Sequence, residues 1–218
     1  MTPNAFITGC DQKTEWMLAW FLTNFRKHNT SPIFFCDFGV SPDVRKWAEK
    51  NFDHVYDINR FVNEGLGWSY KPQALITAPA VNKVWIDTDC DVLASIDDAF
   101  RYIEPYKLSM VVDRPWTKRR KKLWFNSGVV GVSMCPEILT RWAENCKKYQ
   151  TIGDQEVLHV MLQDFLANEI YIKEMPNEYN WLRLQLKDGE NSDKKRVMHW
   201  TGAAGKDVIL SYINGGQE

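Results

Sequence analysis

The sequence predicts an α/β fold, in which helices flank a mixed, mostly parallel sheet. Apolar runs of strand length alternate with segments of helical spacing, and the connections between them are short. The run at 84–86 is apolar at every position, which is typical of a strand that is buried on both faces. The 218 residues, 44% of them apolar, suffice for one sizeable core, so we expect a single domain over 1–218.

Each element has its own signal in the chain. Short apolar runs predict strands at 5–8, 32–36, 84–86, 108–112 and 129–132. Apolar residues at helical spacing predict helices at 13–28, 71–80, 137–149 and 154–166. Ser41-Pro42-Asp43 places an N-cap residue, a first-turn proline and an acid ahead of a further helix. The polar segments 117–122 and 187–195 are expected to be exposed loops.

Charge and cysteine content exclude several classes of protein. The 27 basic and 28 acidic residues give a net charge of -1, which argues against a nucleic-acid partner. Five cysteines without a C-x-x-C pair favour free thiols over a disulfide framework or a zinc site. We see no leader-like start and no apolar run of membrane-spanning length, so we expect a cytoplasmic protein without a membrane segment.

Three carboxylates follow the apolar strand at 84–86. In an extended chain, residues two apart point to the same side, so Asp87, Asp89 and also Asp91 can converge at the carboxyl end of this strand. Such close negative charges repel each other unless a cation lies between them. A hard divalent ion, Mn²⁺ or Mg²⁺, fits oxygen ligands and would bridge to a diphosphate. The alternative is an acidic, solvated loop after a buried strand.

Five motifs in order carry a resemblance to a known family. They are Asp-x-Asp at 87–89, Phe125-Asn126-Ser127-Gly128, Gly153-Asp154-Gln155-Glu156, Met175-Pro176-Asn177-Glu178-Tyr179-Asn180-Trp181 and His199-Trp200-Thr201-Gly202. In kind and order they resemble the family 8 glycosyltransferases, the glycogenin-like and galactosyltransferase-like enzymes of the GT-A fold, from about residue 5 to 206. The chain is also similar to the glycosyltransferase domains that large algal viruses use on their capsid proteins, which would imply a host cytoplasm.

The resemblance implies a metal-dependent transfer of a hexose or deoxyhexose from a UDP-sugar. Asp87, Asp89 and His199 match the residues that bind the metal, Mn²⁺ or Mg²⁺. The residues implied for the donor are Thr8, Gly9, Asp11, Lys71, Asp87, Thr88, Asp89, Asp113, Asn126, Ser127, Gly202 and Lys206. Two of these matches are imperfect: Lys71 stands close to where the family has an arginine, and Lys206 lies one residue later than usual. Asp11 can equally cap the helix that follows it.

The resemblance also implies a retaining mechanism. Asp154 and Gln155 match the catalytic segment, where an amide is a poor nucleophile. We therefore expect a front-face displacement, in which the leaving phosphate takes the proton of the acceptor while Asp154 and Gln155 steady the oxocarbenium-like centre. Asp154 can alternatively act as a helix N-cap. The nucleotide-binding half is expected at about 1–115 and the acceptor and catalytic half at about 116–218, with a glycan or glycoprotein as the acceptor.

Two further features leave alternatives open. The basic run 118–122 is ordinarily a solvated loop, but it can also approach the diphosphate or an acidic acceptor. Trp116, Trp124 and Trp181 lie next to motifs and are candidates for stacking on a sugar ring.

Two rival functions remain from the sequence. One is an Mg²⁺-dependent phosphatase or phosphotransferase of the haloacid-dehalogenase type, although Asp91 and the late position of the Asp-x-Asp strand count against it. The other is a non-catalytic module that binds nucleotide-sugars. Transfer to an added acceptor would distinguish the glycosyltransferase from both.

Overall fold

The computed structural model describes residues 2–59, 67–163 and 165–215. The strands are β1 (Thr2–Cys10), β2 (Ile33–Asp37), β3 (His54–Asp57), β4 (Ala80–Ile86), β5 (Cys90–Val92), β6 (Leu108–Val112), β7 (Phe125–Ser133), β8 (Ile172–Glu174), β9 (Trp181–Leu182) and β10 (Val197–His199). The α-helices are α1 (Leu18–His28), α2 (Pro42–Asn51), α3 (Lys71–Thr77), α4 (Arg114–Arg120), α5 (Glu137–Lys148), α6 (Asp154–Met161), α7 (Phe165–Tyr171), α8 (Arg183–Lys187) and α9 (Ala203–Gly215). None of these helices is both long and apolar enough to span a membrane.

The main sheet has the strand order β3-β2-β1-β4-β7-β6-β8. Its pairs are parallel except that β7 runs antiparallel to both β4 and β6. Because of this one reversal, the carboxyl ends of β1, β4 and β6 and the beginning of β7 meet at one edge of the sheet. A small second sheet has the strand order β5-β10-β9. Its strand β5 follows β4 directly in the chain. The mixed, mostly parallel α/β fold expected from the sequence is therefore confirmed.

The core lies on both faces of the main sheet. Strand β1 illustrates this, because Phe6 packs with Phe21 and Phe25 of α1 on one face while Ile7 packs with Leu75 of α3 on the other. The side chains of Trp85 and Trp142 are fully buried in this core. The predicted N-cap is also confirmed, since the Ser41 hydroxyl accepts a hydrogen bond from the backbone N–H of Val44 at 3.4 Å.

Several sequence-based assignments were wrong in detail; for example, the helix expected at 71–80 ends at Thr77, and Ala80 begins β4. The segment 117–122 was expected to be a loop, but most of it belongs to helix α4, which Asp113 caps. Pro115 lies in the first turn of this helix. A capping residue followed by a first-turn proline is the same signal that correctly predicted the helix after Ser41.

The strand expected at 129–132 is longer, because β7 begins at Phe125 and includes Asn126, Ser127 and Gly128. Its pairing with β6 is irregular between Met110 and Val111. The helix expected at 154–166 ends at Met161, and Asp164 lies outside the described residues. The loop expected at 187–195 is irregular from Asp188 onward, but Lys187 is still the last residue of α8.

Candidate active site

The Asp87-Thr88-Asp89 segment bends at the end of β4 instead of remaining extended. The backbone N–H of Asp87 donates to the carbonyl of Gly128 at 2.9 Å, and the N–H of Cys90 donates to the carbonyl of Asp87 at 3.1 Å. The carboxylates of Asp87 and Asp89 therefore meet because the chain turns here, and not because residues two apart point to the same side of an extended strand. Asp91 does not join them, because it continues into β5 opposite Met198.

His199 faces both carboxylates from the second sheet. Antiparallel pairing sets His199 opposite Cys90, and its Nε2 lies 3.1 Å from Oδ1 of Asp89 and 3.8 Å from Oδ2 of Asp87. Gly128 leaves room for the buried imidazole, since a Cβ at that position would collide with the ring. Burial by itself lowers the pKa of an imidazole, but Asp89 and Asp87 hold the pKa of His199 above its ordinary value.

These three side chains have the chemistry of a divalent metal site. Two carboxylate oxygens and one imidazole nitrogen suit Mn²⁺ or Mg²⁺, and a cation would relieve the repulsion between the two acids. The ligand atoms of Asp89, Cys90 and His199 also lie within 4.8 Å of one another. Burial raises the pKa of the Cys90 thiol in the metal-free site well above its usual value. A thiol is in any case a soft ligand, whereas hard cations such as Mn²⁺ and Mg²⁺ prefer oxygen. Asp87 is therefore the better third ligand.

Lys71 is buried beside this cluster and joins it to helix α6. Its Nζ lies 3.0 Å from Oδ1 of Asp87 and 3.1 Å from Oδ2 of Asp154, and it donates to the carbonyl of Ser127 at 2.8 Å. Burial lowers the pKa of a lysine, but Asp154 and Asp87 raise the pKa of Lys71 above its ordinary value. Lys71 is therefore a charged bridge between two acids. Asp154 is the first residue of α6, whose N-cap is Gly153, so the N-cap alternative for Asp154 is wrong.

A second group of polar side chains surrounds Gln155. The Gln155 amide donates through Nε2 to Oδ2 of Asp113 at 3.0 Å, and its Oε1 accepts from Nδ2 of Asn126 at 2.9 Å. Asn126 also donates to the same oxygen of Asp113 at 3.1 Å. The other oxygen of Asp113 accepts from the backbone N–H of Trp116 and so caps helix α4. Each member fixes the orientation of the next.

Asn180 connects these two groups. Its Nδ2 donates to Oδ1 of Asn126 at 2.8 Å, and its Oδ1 lies 3.0 Å from Nδ1 of His199. An amide oriented in this way accepts the Nδ1–H of the imidazole and leaves Nε2 free to bind a metal. Asn180 is fully buried. Sequence reasoning used its motif for the resemblance but assigned no role to this residue.

We expect Asn180→Ala to weaken Mn²⁺ binding about 10–100-fold, because the orientation and tautomer of His199 would no longer be fixed. Calorimetric titration of Mn²⁺ into the protein without a donor measures this directly. Asn177→Ala is a matched control in the same motif, since its side-chain amide has no hydrogen-bond partner among the described residues. Equal losses of affinity in the two variants would contradict the positioning role of Asn180.

Two adjoining cavities flank the carboxylate cluster. The first, of about 320 Å³, is lined by Gly9, Cys10, Asp11, Lys13, Thr14, Met17, Phe38, Gly67, Trp68, Lys71, Trp85, Asp87, Thr88, Asp89 and Lys206. The second, of about 420 Å³, is lined by Trp68, Lys71, Asp87, Asp89, Asp113, Trp116, Asn126, Ser127, Gly128, Gly153, Asp154, Gln155, Glu156, Leu182, Leu184, His199, Thr201, Gly202 and Lys206. Lys71, Asp87 and Asp89 belong to the wall that both cavities share. The cluster thus lies between two spaces that could each hold part of one ligand.

The structure brings all the sequence-predicted site residues to these cavities except Thr8. The Thr8 side chain is fully buried on the face of β1 that also carries Phe6, so it makes no contact with either cavity. Asp11 lines the first cavity and also accepts hydrogen bonds from the N–H of Lys13 and the hydroxyl of Thr14. Lys206 reaches both cavities because helix α9 begins at Ala203 and its first turn accommodates the extra residue.

The aromatic residues differ from the sequence expectation. Of the three suspected tryptophans, only Trp116 lines a cavity, whereas Trp124 stacks on His159 at 3.6 Å and Trp181 is buried. Sequence reasoning missed Phe38 and Trp68, which follow no motif. Phe38 stacks on Trp85, whose indole N–H in turn donates to Asp87.

Solved glycosyltransferases share this fold. The galactosyltransferase LgtC, solved with donor and acceptor sugar analogs, has a TM-score of 0.62 and 12% identity over 97% of this chain and 95% of that chain. The glycosyltransferase GlyE of Streptococcus pneumoniae TIGR4 has a TM-score of 0.65 and 13% identity, covering 97% of this chain and 60% of that chain. The bifunctional glycosyltransferase WbbM has a TM-score of 0.61 and 12% identity, covering 93% of this chain and 46% of that chain.

No protein-family model and no curated protein matches the chain by sequence. The likeness to solved structures therefore concerns the fold, and the chain spans less than two thirds of GlyE and of WbbM. It confirms the fold that the five motifs imply: the chain has the GT-A glycosyltransferase fold.

Proposed function

We propose that the chain is a metal-dependent, retaining glycosyltransferase that moves a hexose or deoxyhexose from a UDP-sugar to an acceptor glycan, free or on a protein. The observation that carries this proposal is the position of Asp87, Asp89 and His199 at the junction of two cavities. A nucleotide-sugar has the matching form, because two uncharged parts are joined by an anionic diphosphate. The fold shared with known glycosyltransferases supports the same reaction class.

Asp87, Asp89 and His199 would hold the Mn²⁺ or Mg²⁺ ion. When bound, such an ion neutralises the charge that develops on the diphosphate leaving group. Lys206 lines both cavities and supplies a second positive charge for the phosphates. Lys71 does not serve as that cation, since two acids and a carbonyl already surround its ammonium group.

The first cavity suits the nucleoside. Phe38 and Trp68 offer aromatic surface to a planar base, and Asp11 and Thr88 offer polar groups to the base and ribose. Gly9 allows the Phe38 ring to pack closely against β1 at the wall of this cavity, because a Cβ there would collide with the carbonyl of Cys36 and the ring of Phe38. These residues precede position 115, which supports the division into a nucleotide-binding half and a catalytic half.

The second cavity suits the donor sugar and the reacting centre. Asp113, Asn126 and Ser127 can bind sugar hydroxyls, and the Gln155 amide is held beside them. The two buried carboxylates next to Gln155 are already engaged: Asp113 accepts three hydrogen bonds, and Asp154 is paired with Lys71. This favours a front-face displacement, in which the leaving phosphate accepts the acceptor proton and the Gln155 carbonyl oxygen steadies the developing positive charge. Asp154 then contributes by positioning Lys71.

We expect Gln155→Ala to lower kcat for transfer about 10²–10³-fold while changing the Kd for the donor only a few-fold, because its oriented dipole acts mainly on the transition state. Initial rates of transfer and donor titrations measure the two quantities separately. Gln73→Ala is the control, since Gln73 bonds to Thr77 and lines neither cavity. A parallel loss of kcat and donor affinity would remove Gln155 from the reacting centre.

The proposed function is tested first by thermal shifts with nucleotides and nucleotide-sugars, each with Mn²⁺ and with EDTA. Only ligands that bind the folded state raise its Tm, so a UDP-dependent increase that EDTA abolishes is the expected result. Release of UDP in the presence of an acceptor then distinguishes an enzyme from a nucleotide-sugar-binding module. A shift with Mg²⁺ and inorganic phosphate, but with no nucleotide, would instead support the phosphotransferase alternative.

A further inference from the structure

Helix α4 and the residues after it form a positively charged surface beside the second cavity. Six of the nine residues at 114–122 are basic and none is acidic, in a chain whose net charge is -1. The exposed side chains of Lys118, Arg120, Lys121 and Lys122 form what we name the α4 surface. Neither the proposed metal site nor the proposed donor site uses it.

Helix α4 is firmly attached to the second cavity. Its N-cap residue, Asp113, also binds the side chains of Gln155 and Asn126. Arg114, the first residue of the helix, pairs with Glu190 at 3.5 Å, and Arg119, near its end, pairs with Asp188 at 3.1 Å. Bonds at both ends fix α4 as a wall of the site, so its cations have a constant position relative to the reacting centre.

The cations of the α4 surface are available to a partner. Lys118, Lys121 and Lys122 form no ion pair within 2–59, 67–163 and 165–215. The guanidinium of Arg120 lies over the ring of Trp116, 4.9 Å from its centre, and Trp116 lines the second cavity. Residues 116 and 120 are about 6 Å apart along the axis, slightly more than one helical turn. A molecule that enters the cavity past Trp116 therefore meets the guanidinium of Arg120 within about the length of one sugar residue, and the lysines lie on the same short segment.

The geometry points to an acceptor glycan that carries a carboxylate or a phosphate on the reacting sugar or on its neighbour. This inference rests on the proposed function and adds the chemical class of the acceptor. The planar fork of Arg120, oriented by Trp116, matches either anion. Trp116 lines this cavity and favours a sugar over a peptide, because aromatic faces stack on sugar rings.

The test uses trigalacturonic acid and its uncharged counterpart galactotriose, titrated by calorimetry into the protein at low salt. We expect the protein to bind the acidic trisaccharide more tightly. The triple variant Lys118→Gln, Arg120→Gln, Lys121→Gln should bind it about tenfold more weakly, with no change for the neutral one. Raising the salt from about 50 mM to about 200 mM should reduce the difference between the two proteins.

The matched control is Lys46→Gln, Lys50→Gln, Lys147→Gln, which removes the same charge from exposed positions outside the α4 surface. Equal weakening in both triple variants, no preference for the acidic trisaccharide, or no binding of it would overturn the inference. Tighter binding of hexaglutamate, or adsorption to phosphatidylserine vesicles that the α4 substitutions abolish, would also overturn it in favour of a peptide or a lipid surface. UDP and Mn²⁺ are titrated into the same samples: normal UDP binding shows that only the acceptor class is wrong, whereas its absence rejects the proposed function itself.

Discussion

The variant Asp89→Ala is expected to lose Mn²⁺-dependent UDP binding altogether while it remains folded. Its carboxylate is the one nearest to Nε2 of His199, at 3.1 Å, and it lies on the wall shared by both cavities. Removing it leaves Asp87 and His199 as the only proposed ligands within the described residues. At 100 times Kd, a ligand stabilises the folded state by about 2.7 kcal/mol. We expect this whole increment to disappear, as measured by the Tm with Mn²⁺ and UDP compared with EDTA.

Asp91→Ala is the matched control for this variant. Asp91 is two residues away and also acidic, but it lies on β5 and lines neither cavity. It should retain the full metal-dependent shift. Normal UDP binding by Asp89→Ala, or its loss in both variants, would reject the assignment of Asp87, Asp89 and His199 as the metal site.

The regular elements could be predicted where one local signal acts alone. The apolar run at 84–86 and the Ser41 cap needed no long-range information, and both elements are present. Helix α4 was missed because two local signals compete there. Asp113 and Pro115 favour a helix start, whereas the five adjacent charges at 118–122 resemble a solvated loop. The bonds of Asp113 to Gln155 and Asn126, which come from distant parts of the chain, add to the local cap.

The candidate site could likewise be predicted only where local sequence signals suffice. The residue types at the carboxyl ends of β1, β4 and β6 could be read from the sequence, because parallel strands bring such ends together. Strand alternation does not exclude Thr8, because Cys10 lies on the same face of β1 and does line the first cavity. No spacing in the sequence indicates that Asn180 would join His199 to Asn126, because those contacts depend on how β9 and β10 pair in the second sheet.

The lysine at position 71 required the structure most of all. A basic residue near the Asp-x-Asp strand is expected to be exposed to phosphates, but Lys71 is 2% exposed and lies between Asp87 and Asp154. A lysine is a compact cation, which can reach two carboxylates and a carbonyl from a single point. This arrangement links the proposed metal site to the helix that carries Gln155.

We expect Lys71→Met to lower the free energy of unfolding by about 3–5 kcal/mol, because it leaves buried negative charge without its counter-ion. Urea unfolding at neutral pH without metal measures this loss. Lys83→Met is the matched control: Lys83 is equally buried, but its ammonium group donates to the carbonyl of Leu75 and pairs with no acid among the described residues. Its replacement should cost about 1 kcal/mol.

Two further measurements distinguish the loss of charge from the loss of packing as the cause of the destabilisation in Lys71→Met. Adding Asp154→Asn to Lys71→Met removes one of the uncompensated charges, so the double variant should be more stable than Lys71→Met alone. Mn²⁺ should also stabilise Lys71→Met more than it stabilises the unaltered protein, since a cation held by Asp87 replaces part of the missing charge. If Lys71→Met and Lys83→Met lose equal stability, and neither Asp154→Asn nor Mn²⁺ restores any, then Lys71 acts through its volume and not as the ionic bridge between Asp87 and Asp154.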